Sequence, residues 1–409
     1  MSSYRTGSVA LTRDLNRVAV LRLIASGGPI ARTHIARRLG LSPATVTSVT
    51  RELLDQGLLR VAEQAPSSGG RPAVLLEIVG SAATAFGVKV APDHLVGVRV
   101  NLDSDVLERY EEPLDSAAPD APERIADALA RWLGGDGDSE FPPLLGVGLG
   151  VPGISHELGK SVDSPMLGWR DLPLARQLEE RIGVPVLVDN DVNTLAIAER
   201  LYGRGRNVDH FLTVTLGRGI GLGIVAGGDI YHGYAGGAGE FGHTTVLDDG
   251  PRCSCGKRGC LETVAADPAL VARARREGVV TPRAGIERLR RVADEGSVEA
   301  RAIFADAAAV LGRSVANLVN VLAPELVLVS GEGTQAWRHM AAAFDTALRT
   351  HLFGPLAGVV VEVDPWDDAK WAVGAASLVL RSTFTPALEP VSADTSIRAR
   401  LPRVPEALV

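Results

Sequence analysis

Gly236-Gly237-Ala238-Gly239-Glu240-Phe241-Gly242-His243 and the nearby run Cys253-Ser254-Cys255-Gly256-Lys257-Arg258-Gly259-Cys260 give the starting point for reading this 409-residue chain. All three of its cysteines fall in the second run. Three thiolates and the His243 imidazole can complete a tetrahedral zinc site, and the glycines permit the tight turns that gather Cys253, Cys255 and Cys260. A site closed by four protein ligands has no position for water, so such a Zn2+ is structural, one per chain. The alternative is a redox-active cluster or three incidental thiols.

On both sides of this run the pattern is α/β. Short apolar strands are expected at 85–90, 95–101, 106–110, 145–149 and 186–188, with helices at 122–132 and 172–182. A similar order restarts with strands at 211–216 and 222–226. A long helix at 298–322, a strand at 326–329, a helix at 336–351, a strand at 359–363 and a helix at 371–381 follow. Two α/β lobes are the reading.

The glycine and cysteine strings, extended to Leu261-Glu262, closely resemble the signature of the ROK family of repressors, open reading frames and sugar kinases. So do Gly148-Leu149-Gly150-Val151-Pro152-Gly153, Asp189-Asn190-Asp191-Val192-Asn193 and Thr215-Leu216-Gly217-Arg218-Gly219-Ile220-Gly221. The resemblance spans residues 84–381. It implies the duplicated ribonuclease-H-like fold of sugar kinases, hsp70 and actin, with lobe I at 81–195 and lobe II at 196–381. The final helix is expected to pack back on lobe I, and a tail at 382–409 to lack order. It also implies a sugar pocket of Asn190, Asp191, Glu240, His243 and Glu262. The chemistry suits: carboxylates accept from sugar hydroxyls, and His243 has one nitrogen for zinc and another for sugar. In family kinases the aspartate matching Asp191 is the general base. Taken alone, Asn190-Asp191 also reads as a turn after a buried strand.

The family's kinases open the first lobe with an Asp-x-Gly-Gly-Thr hairpin that organises Mg2+ and phosphates. Here Lys89 stands at the acidic position, Ala91 and Pro92 replace the glycines, and Asp93 replaces the threonine. Lys89 reverses the charge and Pro92 removes a donor N–H, so no catalytic residue and no kinase activity are expected. Lys89, with His94 beyond it, could instead meet the phosphate of a phosphorylated sugar; a solvated strand lysine is the plainer reading.

The formal net charge of −7 counts against nucleic-acid binding until the chain is divided. Residues 1–80 carry ten Arg, no Lys and five acidic residues, a net of +5, while the remainder carries a net of −12. In the basic segment, helical spacing runs from Leu15 to Ile24 and stops at Gly27-Gly28-Pro29. A short helix follows around Ile35, Ala36 and Leu39, then the turn Gly40-Leu41-Ser42. Pro43 opens the next helix, which presents Thr45, Thr47, Ser48 and Thr50 outward with Arg51 behind. Two strands, 58–61 and 73–78, flank a polar tip with Arg71. This is a winged helix-turn-helix at 1–80, with Thr45, Thr47, Ser48, Arg51 and Arg71 as DNA contacts. A helical packing domain with solvated arginines is the bland alternative.

Hydrophobic residues at 46% and charged residues at 22% exclude a mainly disordered chain, and three cysteines exclude a disulfide scaffold. No apolar run reaches a membrane span of roughly 18–20 residues and no leader is recognised, so a cytoplasmic protein with no membrane partner is expected. The combined reading is a sugar-responsive transcriptional regulator, most simply a repressor. It would act as a homodimer or homotetramer on double-stranded operator DNA and be switched by a sugar or sugar phosphate. An active ATP-dependent sugar kinase carrying a DNA-binding head is the alternative. A third reading is a regulator set by another protein, with a vestigial pocket.

Overall fold

The computed structural model describes residues 9–62, 74–134, 141–365 and 367–384, together with Ile397 and 400–402. Arg71, most of the 134–142 loop and most of the tail lie outside the described residues. The chain forms two units, Met1–Arg206 with Trp371–Val409, and Asn207–Lys370.

The first unit begins with α1 (Val9–Gly27), β1 (Ile30–Ala31), α2 (Arg32–Leu39), α3 (Pro43–Asp55), β2 (Leu59–Val61) and β3 (Leu75–Ile78). β3 pairs antiparallel with both β1 and β2. The short β1 was not anticipated; two residues leave no periodicity to read. Gly40 ends α2 in the left-handed conformation, at φ 64°. Ser42 caps α3 by accepting the Thr45 N–H at 3.1 Å, and Pro43 occupies the first turn, where a missing N–H costs nothing. Val18, Leu21, Ile24, Ile35, Val46, Leu53 and Leu76 make the head's small core.

The same unit continues with β4 (Thr84–Val90), β5 (His94–Asn101), β6 (Val106–Pro113), α4 (Ala121–Leu133), β7 (Leu144–Val151), β8 (Ile154–His156), β9 (Ser161–Ser164), β10 (Trp169–Leu172), α5 (Leu174–Ile182), β11 (Val186–Asn190) and α6 (Asp191–Leu201). The main sheet has the order β11-β7-β4-β5-β6, and β8–β10 form a small separate sheet. On one face Phe86, Val88, Val147 and Val188 pack against Ile125 and Leu129 of α4 and Leu178 of α5.

The second unit holds β12 (Phe211–Leu216), β13 (Ile220–Ala226), β14 (Asp229–Ile230), α7 (Glu262–Ala265), α8 (Asp267–Arg276), α9 (Ile286–Asp294), α10 (Val298–Leu322), β15 (Leu326–Ser330), α11 (Trp337–His351) and β16 (Val360–Val363). Its sheet order, β14-β13-β12-β15-β16, repeats the first unit's plan: a β-meander edge followed by parallel strands. By length and composition α10 could cross a membrane, contrary to the expectation that no apolar run would. Its apolar face is core: Leu311, Val315 and Val319 are fully buried against strands and α11.

α12 (Asp368–Phe384) closes the chain and, from Trp371, belongs to the first unit. It lies directly on β4 and β7, where a side chain on Gly87 or Gly148 would meet the carbonyls of Ala372 or Ala375 at 1.9 Å. Within 382–409, three residues continue α12, Ile397 and Leu401 are buried, and Arg400 donates to the Leu144 carbonyl at 2.7 Å. The expected lack of order does not hold for those residues.

Candidate functional site

The head's polar face is set by α3. Thr47, Ser48 and Arg51 are exposed on one side and Thr45 is half-buried, its hydroxyl 2.8 Å from that of Ser42. Thr50 does not join them. It is buried, donates to the Val46 carbonyl at 2.8 Å and accepts from Arg32 Nε at 2.8 Å. A buried threonine that hydrogen-bonds the preceding turn imitates an apolar residue, which its polar type hid in the sequence. Glu52 and Gln56, behind the exposed face, tie α3 to Arg13 and Arg17 of α1 at 2.6 and 2.8 Å.

In the first unit β11 delivers Asp189, Asn190 and Asp191 to the start of α6. Asn190 is the helix cap. Its Oδ1 accepts from the Val192 and Asn193 N–H groups at 2.9 and 3.3 Å, and its Nδ2 donates to the Gly153 carbonyl at 2.9 Å. One amide hydrogen remains for a ligand. Asp191, in the first turn, accepts from the Val192 N–H at 2.9 Å. Asp189, singled out only as part of a string, is buried and accepts from Asn190 N and Asn193 Nδ2. It fixes the turn that presents its neighbours. Sequence reading missed α6 itself: nearly every residue of its first two turns is buried, so no amphipathic stripe marks it.

The β4–β5 hairpin is closed by its own backbone. Ala91 N donates to the His94 carbonyl at 2.9 Å, the Pro92 carbonyl accepts from Ser116 N, and Asp93 pairs with His94 Nδ1 at 2.8 Å. Lys89 stands in register with Gly150 of β7, which is itself opposite Asp189 of β11. Its Nζ lies 5.1 Å from the Trp371 ring centre, a cation–π contact with α12.

The second unit carries Glu240, His243 and Glu262. His243 Nδ1 is 3.4 Å from Cys253 Sγ, while its Nε2 is 3.8 Å from a Glu240 carboxylate oxygen. Cys255 and Cys260 sulfurs are 3.7 Å apart, and all four candidate ligand atoms lie within 4.8 Å of one another. Zinc–sulfur bonds of about 2.3 Å in tetrahedral geometry put neighbouring ligands roughly 3.5–3.8 Å apart, so the residues present fit a metal ion. Burial and the neighbouring thiols push the Cys260 thiol up to about 12, whereas a backbone hydrogen bond from Lys257 lowers that of Cys255. A bound cation would hold both as thiolates.

Two loop amides of the glycine run at 217–221 are engaged by carboxylates of the same unit. Glu332 Oε1 accepts the Arg218 N–H at 3.2 Å, and a side chain on Gly217 would meet the Glu332 carboxyl at 2.5 Å. Glu262 accepts the Ile220 N–H at 3.4 Å. Beneath them the Asp267 N–H donates to the Gly217 carbonyl, and Arg290 reaches Asp267 at 2.9 Å with both side chains buried. Glu332 lies just beyond the end of β15 at Ser330. Its position over the loop follows from β12 and β15 being neighbours, which no local pattern displays.

A winged helix-turn-helix joined to a two-lobed, sugar-kinase-like α/β body defines a class of transcriptional regulator. The chain belongs to the ROK family. The ROK family model matches residues 86–382, and the MarR family model matches 14–64 in the head. The chain is 30% identical over 388 residues to the DNA-binding transcriptional dual regulator NagC of Escherichia coli K12, covering 92% of this chain and 95% of that protein. It is 30% identical over 319 residues to the xylose repressor of Bacillus subtilis 168, covering 78% and 82%. A crystal structure of a ROK family transcriptional regulator, a homologue of the E. coli MLC protein, shares the fold with a TM-score of 0.80. That match is 24% identical and covers 96% of this chain and 99% of that one.

Proposed function

We propose that the chain is a sugar-responsive transcriptional repressor that binds operator DNA through its head and a sugar through its body, without phosphorylating the sugar. The observation that carries the last clause is the state of the two glycine loops. The first has Lys89 for a metal-organising carboxylate and Pro92 for a donor. The second has the Glu332 carboxylate on the Arg218 N–H, where a nucleotide phosphate would need that donor. Like charge and a missing donor both oppose phosphate there, so an effector can bind without being consumed.

Asn190, Asp191, Glu240, His243 and Glu262 are the proposed hydroxyl partners. Thr45, Thr47, Ser48 and Arg51 are the proposed major-groove face, with Arg71 on the wing. Zn2+, one per chain, would be held by His243 Nδ1 and the three cysteine sulfurs, where it supplies a rigid cross-link and leaves His243 Nε2 facing Glu240. A homodimer or homotetramer matches a palindromic operator, and a protein acting on operator DNA works in the cytoplasm.

The test combines a melting-temperature screen of glucose, xylose, N-acetylglucosamine, glucose 6-phosphate, xylose 5-phosphate and N-acetylglucosamine 6-phosphate with operator binding. A responding sugar is expected to raise the melting temperature and weaken operator binding about tenfold or more. Asp191→Asn should remove the sugar effect and leave unliganded operator affinity within about threefold. Sugar-dependent ADP release that Asp191→Asn abolishes would establish a kinase instead, and operator binding indifferent to a sugar that binds would refute the sensor.

A further inference from the structure

We propose that α6 and the loop that follows it, residues 202–206, transmit the sugar-bound state to the winged head, with Arg206 as the joining contact. This rests on the sugar-responsive reading above. α6 starts at Asn190 and Asp191, two proposed sugar partners, and its eleven residues span about 16 Å. Val192, Asn193, Thr194, Leu195, Ala196 and Ile197 are all buried, so the helix moves as a packed rod rather than bending.

Its far end is tied to the place where the head enters the lobe. The Tyr202 hydroxyl donates to the Leu102 carbonyl at 3.1 Å, and Leu102 N donates to the Gly80 carbonyl at 3.0 Å in the segment between β3 and β4. Burial pushes the Tyr202 hydroxyl far up, so it stays a neutral donor. The next residues fold back on the helix end: Arg204 N donates to the Glu199 carboxylate at 2.8 Å and Arg206 N to the Gly203 carbonyl at 3.2 Å.

Arg206 then leaves the lobe. Its Nη2 donates at 2.7 Å to the carbonyl of Ala25 in the last turn of α1, where the helix offers unpaired carbonyls and the negative end of its dipole. Its Nε is buried without an acceptor, so the side chain gives up a hydrogen bond to make this contact. From α1 the path reaches the DNA-facing helix through the Arg13–Glu52 and Arg17–Gln56 contacts. Every link lies within the first unit. Arg206 is also the last residue before the chain passes into the second unit at Asn207. Arg206 thus holds the end of α1 from the segment that leads out of α6.

The experiment uses the full chain, a duplex selected from a random library by the wild type, and the six sugars named above. Arg206→Met is expected to keep unliganded duplex affinity and sugar affinity within about threefold, while the sugar's effect on duplex binding falls below about twofold. Arg206→Lys, which still donates, should restore most of it. An Arg206→Met protein that responds like the wild type, or that loses unliganded duplex binding altogether, overturns the proposal. If that variant fails to fold, Tyr202→Phe decides by the same readouts. Amide exchange supplies an arm that needs no sugar. Duplex binding should alter exchange across 191–206 in the wild type and not in Arg206→Met. If no sugar affects the wild type, the sensor reading fails and this arm alone decides; no change across 191–206 in the wild type refutes the transmission.

Discussion

Asp267 shows how single residues around the second glycine loop set its electrostatics. Burial pushes its carboxyl up to about 6, and Glu332 and Glu287 add to the rise, although Arg290 opposes it. The folded pKa lies above the ordinary aspartate value, so the folded state holds the proton more tightly and this contribution to stability grows as pH falls through 6. Asp267→Asn has no proton to exchange at this position. Chemical denaturation at pH 5 and at pH 7.5 should show the difference in stability moving in the variant's favour at the higher pH, by on the order of 1 kcal/mol. A shift in the opposite direction would mean that the Arg290 ion pair outweighs burial. The sequence made other residues legible by type: His243 among three cysteines has a spacing that little else explains, and the fold gathers the four candidate ligand atoms. It could not show that Asn190 spends its carbonyl oxygen on α6, nor that Thr50 faces inward, because both depend on which hydrogen bonds the folded backbone leaves open.

At the scale of elements, α12 on the first sheet gives the sharpest case. β4 and β7 carry Gly87 and Gly148 where the helix backbone comes closest, and the closing helix could be placed there from the family resemblance but not from the glycines. Gly148→Val would set a side chain where the Ala375 carbonyl now stands. The helix must lift, and a loss of about 2 kcal/mol or more is expected. Gly285→Ala, with nothing within 4 Å and an ordinary φ, serves as the control and should stay within about 0.5 kcal/mol. Thermal denaturation of the two variants beside the wild type checks both values, and equal melting temperatures would refute the close-packing account. The central strands were readable as short continuous apolar runs, buried on both faces in β7, β12 and β15, and the long helices by their buried stripe. The small sheet β8–β10 and helices α7–α9 were not, since short elements of three to ten residues with charged outer faces look like loops. α6 escaped for the opposite reason, being buried on nearly all sides.

On the scale of the whole molecule, charge and metal divide the labour. The +5 of the first 80 residues and the −12 of the rest confine attraction for DNA to the head, so the body contributes repulsion rather than a second binding face. The candidate metal-ligand cluster lies in the other unit, in a stretch with little apolar burial of its own: between His243 and Cys260 only Gly250, Cys253 and Gly259 are buried apart from Cys260 itself. Gly259, at φ 66°, packs so close to Leu247 that a side chain would strike its carbonyl at 1.6 Å. A segment folded this tightly around so few apolar contacts would depend on a metal cross-link. Removing the metal with a strong chelator should therefore increase amide exchange across 243–262 and lower the melting temperature of the full chain. It should also abolish the sugar response, because His243 loses the ligand that orients its Nε2 toward Glu240. Operator affinity without sugar should stay within about threefold, since the head and its ties through α1 lie in the first unit. Cys260→Ser should reproduce all of these effects without chelator. Metal analysis of the purified wild type should find about one zinc per chain; a metal-free protein with the same protected loop and an intact sugar response would refute the structural role.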